Sequence, residues 1–168
     1  MKKIALIGSG GSGKSTLARK LGGKLDIEVY HLDALFWKPN WILASKEEQI
    51  TVQTEVVSKE EWIIDGNYNG TIDIRLNAAD TIIFVDINRM ICMYRVCKRM
   101  IQYLGESRPD MTVGNNERFD INFLKWVWNY PKTKKPAMLK KFDQLPKDKQ
   151  VIILKSPREV QRFLDALV

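Results

Sequence analysis

The chain predicts an α/β fold, a five-stranded parallel sheet with helices over both faces. Three observations carry that prediction. Five short apolar runs rich in Ile, Val and Leu are separated by stretches of helical spacing, the pattern of strands buried on both sides. The first run passes through a glycine-rich turn straight into a helix, the order that opens a strand–helix crossover. Asp33, Asp65 and Asp86 stand at or just past the ends of the second, third and fourth runs. That lines them along the carboxyl edge, where such sheets bind ligands.

Taken in order, Lys3-Ile4-Ala5-Leu6-Ile7 is the first strand, and residues 8–16 form the turn. Leu17, Ala18 and Leu21 begin a helix that Gly22-Gly23 frays near Lys24. Residues 27–32 are the second strand, ending in Asp33; the stretch from Leu35 to Trp41, aromatic and broken by Pro39, is neither helix nor strand. Ser45 with Glu48 three residues on is a capping box, opening a helix to about Ser58. Trp62-Ile63-Ile64 is the third strand, closed by the turn formers of 65–70, and residues 81–85 are the fourth, closed by Asp86. A long helix spans about 89–104 and stops at Gly105; its expected apolar stripe is Met90, Tyr94, Cys97, Ile101 and Leu104. Residues 105–118 are polar and proline-broken, and 119–130 form an aromatic helix with Phe123, Trp126 and Tyr130 on one side. A lysine-rich connection and a short helix near 137–142 lead to the fifth strand, 151–154. Ser156-Pro157-Arg158-Glu159 then opens the last helix with a second capping box.

The turn Gly8-Ser9-Gly10-Gly11-Ser12-Gly13-Lys14-Ser15-Thr16 matches G-x-x-x-x-G-K-[ST] between a strand and a helix, the context in which that pattern is a physical site. Its glycines permit dihedrals that side chains forbid, so the amides curl inward and meet the positive end of the helix in a cradle for a polyphosphate. Lys14 adds a mobile charge for the outer phosphates, and the Ser15 hydroxyl is placed for Mg2+. The expected ligand is ATP or another nucleoside triphosphate.

At 168 residues, with 45% hydrophobic and 28% charged residues, the chain reads as one globular domain over 1–168. It has no apolar run of membrane length, and the basic start Met1-Lys2-Lys3 is followed by too short an apolar stretch for a secretory leader. Cys92 and Cys97 have no metal or disulfide spacing and suit a reducing cytoplasm. The lone His31 has no cluster around it. A net charge of +7 suits either a phosphate-handling enzyme or a nucleic-acid partner.

Phosphoryl transfer needs a metal, positive charge and a positioned acceptor. For the metal, Ser15 and Asp65 are the first choice, with Asp86 second. For charge, Arg95 and Arg99 lie four apart on the long helix, and Arg108 and Arg118 bracket the irregular segment after it. Together they have the makings of a closing lid at about 105–120. For the acceptor, Asp33 would act as general base to a hydroxyl, or order metal-bound water if the acceptor is a phosphate. Trp37 and Trp41 would stack on a planar ring, or simply pack. DNA is the alternative partner, on the strength of Lys132, Lys134, Lys135, Lys140 and Lys141, although no helix-turn-helix or zinc-finger motif accompanies them.

These residues resemble the nucleotide-kinase branch of P-loop NTPases, with the adenylate kinase and shikimate kinase fold. More narrowly, Leu32-Asp33-Ala34-Leu35-Phe36-Trp37-Lys38-Pro39-Asn40-Trp41, Trp62-Ile63-Ile64-Asp65-Gly66-Asn67-Tyr68, Arg108-Pro109-Asp110-Met111, Glu117-Arg118-Phe119-Asp120 and Phe123-Leu124-Lys125-Trp126 resemble the bacterial DNA topology-modulation (FlaR-related) family. The resemblance implies a three-layer α/β/α fold of strand order 2-3-1-4-5 and a helical lid. It also implies an ATP-type donor, an acceptor-binding insert at about 34–60, and lid arginines at Arg99, Arg108 and Arg118. Asp65-Gly66 matches the Asp-Gly of adenylate kinases, but Asn67-Tyr68-Asn69 departs from the residues those enzymes carry next, and the nearest arginine downstream is Arg75. Asp33, Trp37, Asp65, Tyr68 and Arg75 are the expected acceptor contacts, for a nucleotide, nucleoside or other small hydroxyl acceptor.

Overall fold

The structure, a computed structural model, describes residues 1–108 and 111–167. Its centre is strand β1 (Lys3–Gly8), flanked by β5 (Trp62–Asp65) and β6 (Thr81–Val85), with β2 (Val29–His31) outside β5 and β7 (Gln150–Leu154) outside β6. Every pairing in this sheet is parallel. Counting these five strands along the chain, the order is the expected 2-3-1-4-5. Register sets Ile4 between Ile63 and Thr81, and Leu6 between Asp65 and Ile83. The strands therefore end together, and the loops beyond them share one edge.

Alternation along β1 divides the core. Ile4 and Leu6, with Ile63, Ile83 and Val85, pack against α1 (Lys14–Leu25), α5 (Arg89–Gln102) and α8 (Pro157–Asp165). Ala5 and Ile7, with Ile64, Ile82 and Phe84, pack on α2 (Leu32–Phe36), α3 (Lys46–Ser58), α4 (Ile72–Ala78) and α7 (Lys135–Asp143). Helix α6 (Ile121–Thr133) contributes Val127 to the first cluster and Tyr130 to the second. The three-layer arrangement results from strands that are apolar on both faces.

Caps behave as their residues dictate. Ser45 Oγ accepts from Glu48 N (3.2 Å) while Glu48 Oε2 accepts from Ser45 N (2.7 Å), the full capping box. Ser156 Oγ accepts from Glu159 N, but Glu159 reaches past it to Lys155 N. Asn88, rather than Asp86, caps α5 by accepting from Met90 N. Asp86 is ion-paired to Lys135 Nζ at 2.6 Å.

Several expectations are corrected. Strand β2 ends at His31, and Asp33 sits in the first turn of α2. The Trp-Pro segment folds as a small antiparallel ribbon, β3 (Trp37–Lys38) and β4 (Ile42–Leu43), around a 3-10 turn at Pro39–Trp41. Helix α4 occupies a stretch for which the sequence predicts no helix. The described residues of 105–120 form no helix; this segment is a loop braced by bridges Leu104–Glu117 and Ser107–Asn116. Gly105 and Gly114, both at positive φ, favour that outcome over a helical lid.

Helix α5 turns the opposite way from expectation. Cys92, Val96 and Met100 face the core, and Met90, Tyr94, Ile101 and Leu104 are exposed. Gly11 explains it, because the glycine loop approaches so closely that a Cβ there would collide with the Cys92 carbonyl. Only the face carrying Cys92 and Val96 fits that contact. The lysine-rich stretch is helical, not a loop, and Lys135 and Lys141 are held by Asp86 and Asp73. No helix among the described residues is long and apolar enough to cross a membrane.

At the amino edge of the sheet, Asp80 Oδ2 accepts from Lys2 N and Lys3 N (2.8 and 3.0 Å), and its Oδ1 accepts from the Thr81 hydroxyl (2.6 Å). Lys149 Nζ donates to the carbonyls of Asn77 and Ala79. This edge is stitched shut.

Candidate functional site

The glycine loop takes its shape from two left-handed glycines, Gly11 (φ 73°) and Gly13 (φ 93°). Ser12 N donates back to Ser9 O at 3.2 Å, and Arg95 Nη1 reaches the carbonyls of Ser12 (3.2 Å) and Gly11 (3.5 Å). Two of the loop's carbonyls are thus taken up by the Arg95 guanidinium. No side chain caps α1, whose Ncap is Gly13, so the first-turn amides lack the partner that helices usually supply themselves. Such a terminus attracts anions. Lys14 Nζ folds back to Ser9 O at 3.4 Å.

Asn67 ties the loop to the neighbouring strand: its Nδ2 donates to Gly8 O at 2.8 Å, and its Oδ1 accepts from Gly8 N at 3.4 Å. Gly8 itself admits no side chain, since a Cβ would lie 2.6 Å from Val85 O. Sequence reasoning misses Asn67 as a site residue. Its only signal is a turn former two places past a strand that neighbours β1.

Asp65 is buried at the end of β5, with Oδ2 2.9 Å from His31 Nδ1. Burial alone would push its carboxyl up, but the His31 hydrogen bond, the Lys14 charge and the Ser15 hydroxyl outweigh it, and the group is held below the usual carboxylate range. Asp65 Oδ1 is buried without a hydrogen-bond partner among the described residues. An ionised, half-satisfied carboxylate beside the Ser15 hydroxyl fits a divalent cation. Among the described residues no cluster of three or more His, Cys, Asp or Glu would hold a metal by itself. A hydroxyl and one carboxylate are the sparse donor set that suits Mg2+, which keeps most of its water and takes phosphate oxygens.

At the other end of the site, Tyr68 Oη donates to Asp33 Oδ1 at 2.6 Å. Burial, together with the Asp33 charge and this bond, pushes the phenol far above its ordinary value, so it remains a donor. Phe36 meets the Tyr68 ring edge-on at 4.7 Å. Trp37 and Trp41 pack edge-to-face at 5.6 Å, and the Arg118 guanidinium lies over the Trp41 ring at 5.2 Å. Asn40 and Trp41 both have positive φ, a strained turn for residues with side chains. It is held by the loop after α5, where Asn115 Oδ1 accepts from Trp41 N at 2.7 Å.

The loop after α5 docks on the stretch that follows β2. Thr112 Oγ1 donates to Ala34 O at 2.7 Å, and Asn115 Nδ2 donates to Trp37 O at 3.4 Å. Within the loop, buried Glu117 sits between two arginines, 3.3 Å from Arg99 Nε and 3.0 Å from Arg108 Nε. Sequence reasoning misses Glu117 too, because nothing local distinguishes it from a surface glutamate.

These parts surround one cavity of about 720 Å³. Gly10, Gly11, Gly13, Lys14, Ser15 and Thr16 line it, as do Asp33, Trp37, Trp41 and Tyr68 and the arginines Arg95, Arg99, Arg108 and Arg118. Gly8, Ser9, Ser12 and Asp65 support the wall without lining it. Arg75 is not brought to the cavity. It is fully buried, donating to Gln53 Oε1, Gly66 O and Asn67 O, and burial lowers its pKa to about 10. It shapes the Asp-Gly-Asn-Tyr turn from beneath, and the expected acceptor contact is corrected accordingly.

No protein-family model matches the chain, and none of the curated proteins does; the narrower topology-modulation resemblance finds no support there. Solved structures do match in fold. Shikimate kinase from Acinetobacter baumannii in complex with shikimate aligns with TM-score 0.60 at 14% identity, over 98% of this chain and 89% of that one. A candidate kinase from Chloroflexus aurantiacus j-10-fl aligns with TM-score 0.56 at 14% identity, over 98% and 96%. A sugar kinase from Janibacter sp. HTCC2649 aligns with TM-score 0.51 at 15% identity, over 98% and 93%.

Proposed function

We propose that the chain is a small-molecule kinase, moving the terminal phosphoryl group of ATP or another nucleoside triphosphate to a hydroxyl acceptor, within a single domain whose insert (34–60) and lid (105–120) enclose the acceptor. The observation that carries this reading is one cavity lined both by an uncapped, glycine-built helix N-terminus and by a half-buried carboxylate–tyrosine pair. The amides of residues 8–16 bind the donor phosphates, and Lys14 swings from Ser9 O to the outer ones. Arg99, Arg108 and Arg118 neutralise the transferred group. Asp33, fixed by Tyr68, orients the acceptor hydroxyl and takes its proton as the acceptor oxygen bonds to the terminal phosphorus and the bridge to the leaving diphosphate breaks. Ser15 and Asp65 hold Mg2+, which supplies charge neutralisation on the donor. The free thiols of Cys92 and Cys97 suit a reducing cytoplasm.

The fold neighbours are kinases, and one was crystallised with shikimate; a panel of nucleosides, nucleotides, sugars and hydroxy acids, shikimate included, is therefore the test. An acceptor that raises nucleoside diphosphate release well above the rate with water supports the reading. If none does, the chain is not a transferase. A DNA-linked role gains nothing from the folded lysines, two of which are bound in ion pairs.

A further inference from the structure

His31 is the chain's single histidine, and the proposed chemistry gives it no task. Its position is nonetheless determined. Parallel register on β2 and β5 pairs His31 directly with Asp65, the last residues of both strands, so the two side chains leave the same face side by side. The imidazole is largely buried, its side chain 16% exposed, and Nδ1 lies 2.9 Å from Asp65 Oδ2. An ionised carboxylate only accepts hydrogen bonds, which makes Nδ1 the protonated nitrogen. With Oδ2 engaged in this way, the rotation of the carboxyl group is fixed, and Oδ1 is left buried and without a hydrogen-bond partner among the described residues.

We infer that His31 is a positioning residue for the cation site, holding Asp65 so that Oδ1 faces the Ser15 hydroxyl. The inference rests on the kinase reading, because it assigns to that reading's metal site an orienting partner. A carboxylate free to rotate would share its time among several directions, and a cation that keeps most of its own water would lose its one charged protein oxygen. Partners that orient metal-binding groups typically matter 10- to 100-fold in metal affinity.

The experiment measures binding of a non-hydrolysable ATP analogue to the full chain as Mg2+ is titrated, and again in EDTA. His31→Phe keeps the ring but removes the donor; the expected result is about a 10-fold or greater rise in the Mg2+ concentration needed for half-maximal binding, with affinity in EDTA unchanged. His31→Asn puts an amide nitrogen where Nδ1 stood and is expected to restore most of the Mg2+ dependence. A purely structural role would instead lower the melting temperature and affect binding with and without the cation equally. Should His31→Phe fail to fold, the unaltered chain still decides the matter. Its one imidazole gives an unambiguous 15N signal, and Mg2+ added to the nucleotide-bound protein is expected to shift the Nδ1 resonance. Unchanged Mg2+ dependence in His31→Phe, His31→Asn no better than His31→Phe, or a silent Nδ1 signal overturns the inference and leaves the kinase reading standing. No Mg2+-dependent binding in the unaltered chain overturns both.

Discussion

The two edges of the sheet are built from similar polar residues and treat them differently. At the amino edge, Asp80 accepts three hydrogen bonds and Lys149 ties off two carbonyls; the Trp62 indole N–H is the one buried side-chain atom left unpaired there among the described residues. At the carboxyl edge Ser9 Oγ, Ser12 Oγ and Asp65 Oδ1 are buried and unpaired, helix α1 lacks a side-chain cap, and Asn40, Trp41 and Tyr68 carry positive φ. Buried polar groups are normally satisfied, and strained backbone persists only where the surroundings over-determine it. The contrast separates an edge that holds the fold from one that reserves its valences for something else.

Substitutions sharpen that contrast. The largest effect is expected at Lys14→Ala: phosphoryl transfer falls by about 10²–10³-fold or more, as for loss of a key electrostatic donor, while the melting temperature moves little, since the Lys14 hydrogen bond to Ser9 O is long and His31 still pairs with Asp65. A large drop in melting temperature would show that the carboxyl edge also holds the fold. Next, Asp33→Asn is expected to cost turnover about 10²-fold, the scale of general-base loss, with little change in ATP affinity by calorimetry. Equal losses in both would move Asp33 to the donor side. Gly11→Ala combines a left-handed φ with a collision against the Cys92 carbonyl; a loss of about 2 kcal/mol in urea unfolding is expected, with nucleotide binding falling alongside it.

The smallest effect is expected at the amino edge. Burial alone would raise Asp80, but the bonds from Thr81, Lys3 and Lys2 outweigh it, so its folded pKa lies below the ordinary 3.8. A depressed carboxylate contributes stability that is fully present above its unfolded pKa and lost as pH falls through the folded one. Asp80→Asn is thus expected to be slightly less stable than the parent at pH 7, by ~1 kcal/mol or less given its exposure to solvent. The gap between their melting temperatures closes as pH drops below about 4. A gap that persists at pH 2 would mean that geometry, not charge, is what Asp80 supplies.

Local signals carry much of this molecule. The five strands, the glycine loop and the Ser45 capping box all declare themselves within a few residues, and each stands where its residues place it apart from β2, which is shorter than its apolar run. Features that depend on tertiary register do not declare themselves. Helix α5 offers two apolar stripes, and only the approach of Gly11 decides between them. His31 looks solitary in the sequence because its partner is 34 positions away, brought adjacent by strand pairing alone. Arg75 looks like an acceptor contact, and Glu117 like surface, because burial beneath a turn or between two guanidinium groups leaves no mark on neighbouring sequence. The short helices α2 and α4 escape sequence reading for a related reason: a single turn or two is stabilised by what it packs on, not by its own propensity.

The Thr112 and Asn115 bonds have a mechanical consequence. They fasten the loop to the backbone of Ala34, Trp37 and Trp41, so the positive-φ turn at Asn40 and Trp41 is tied to a segment more than seventy positions downstream. Removing the Asn115 side chain would free that turn and the loop together.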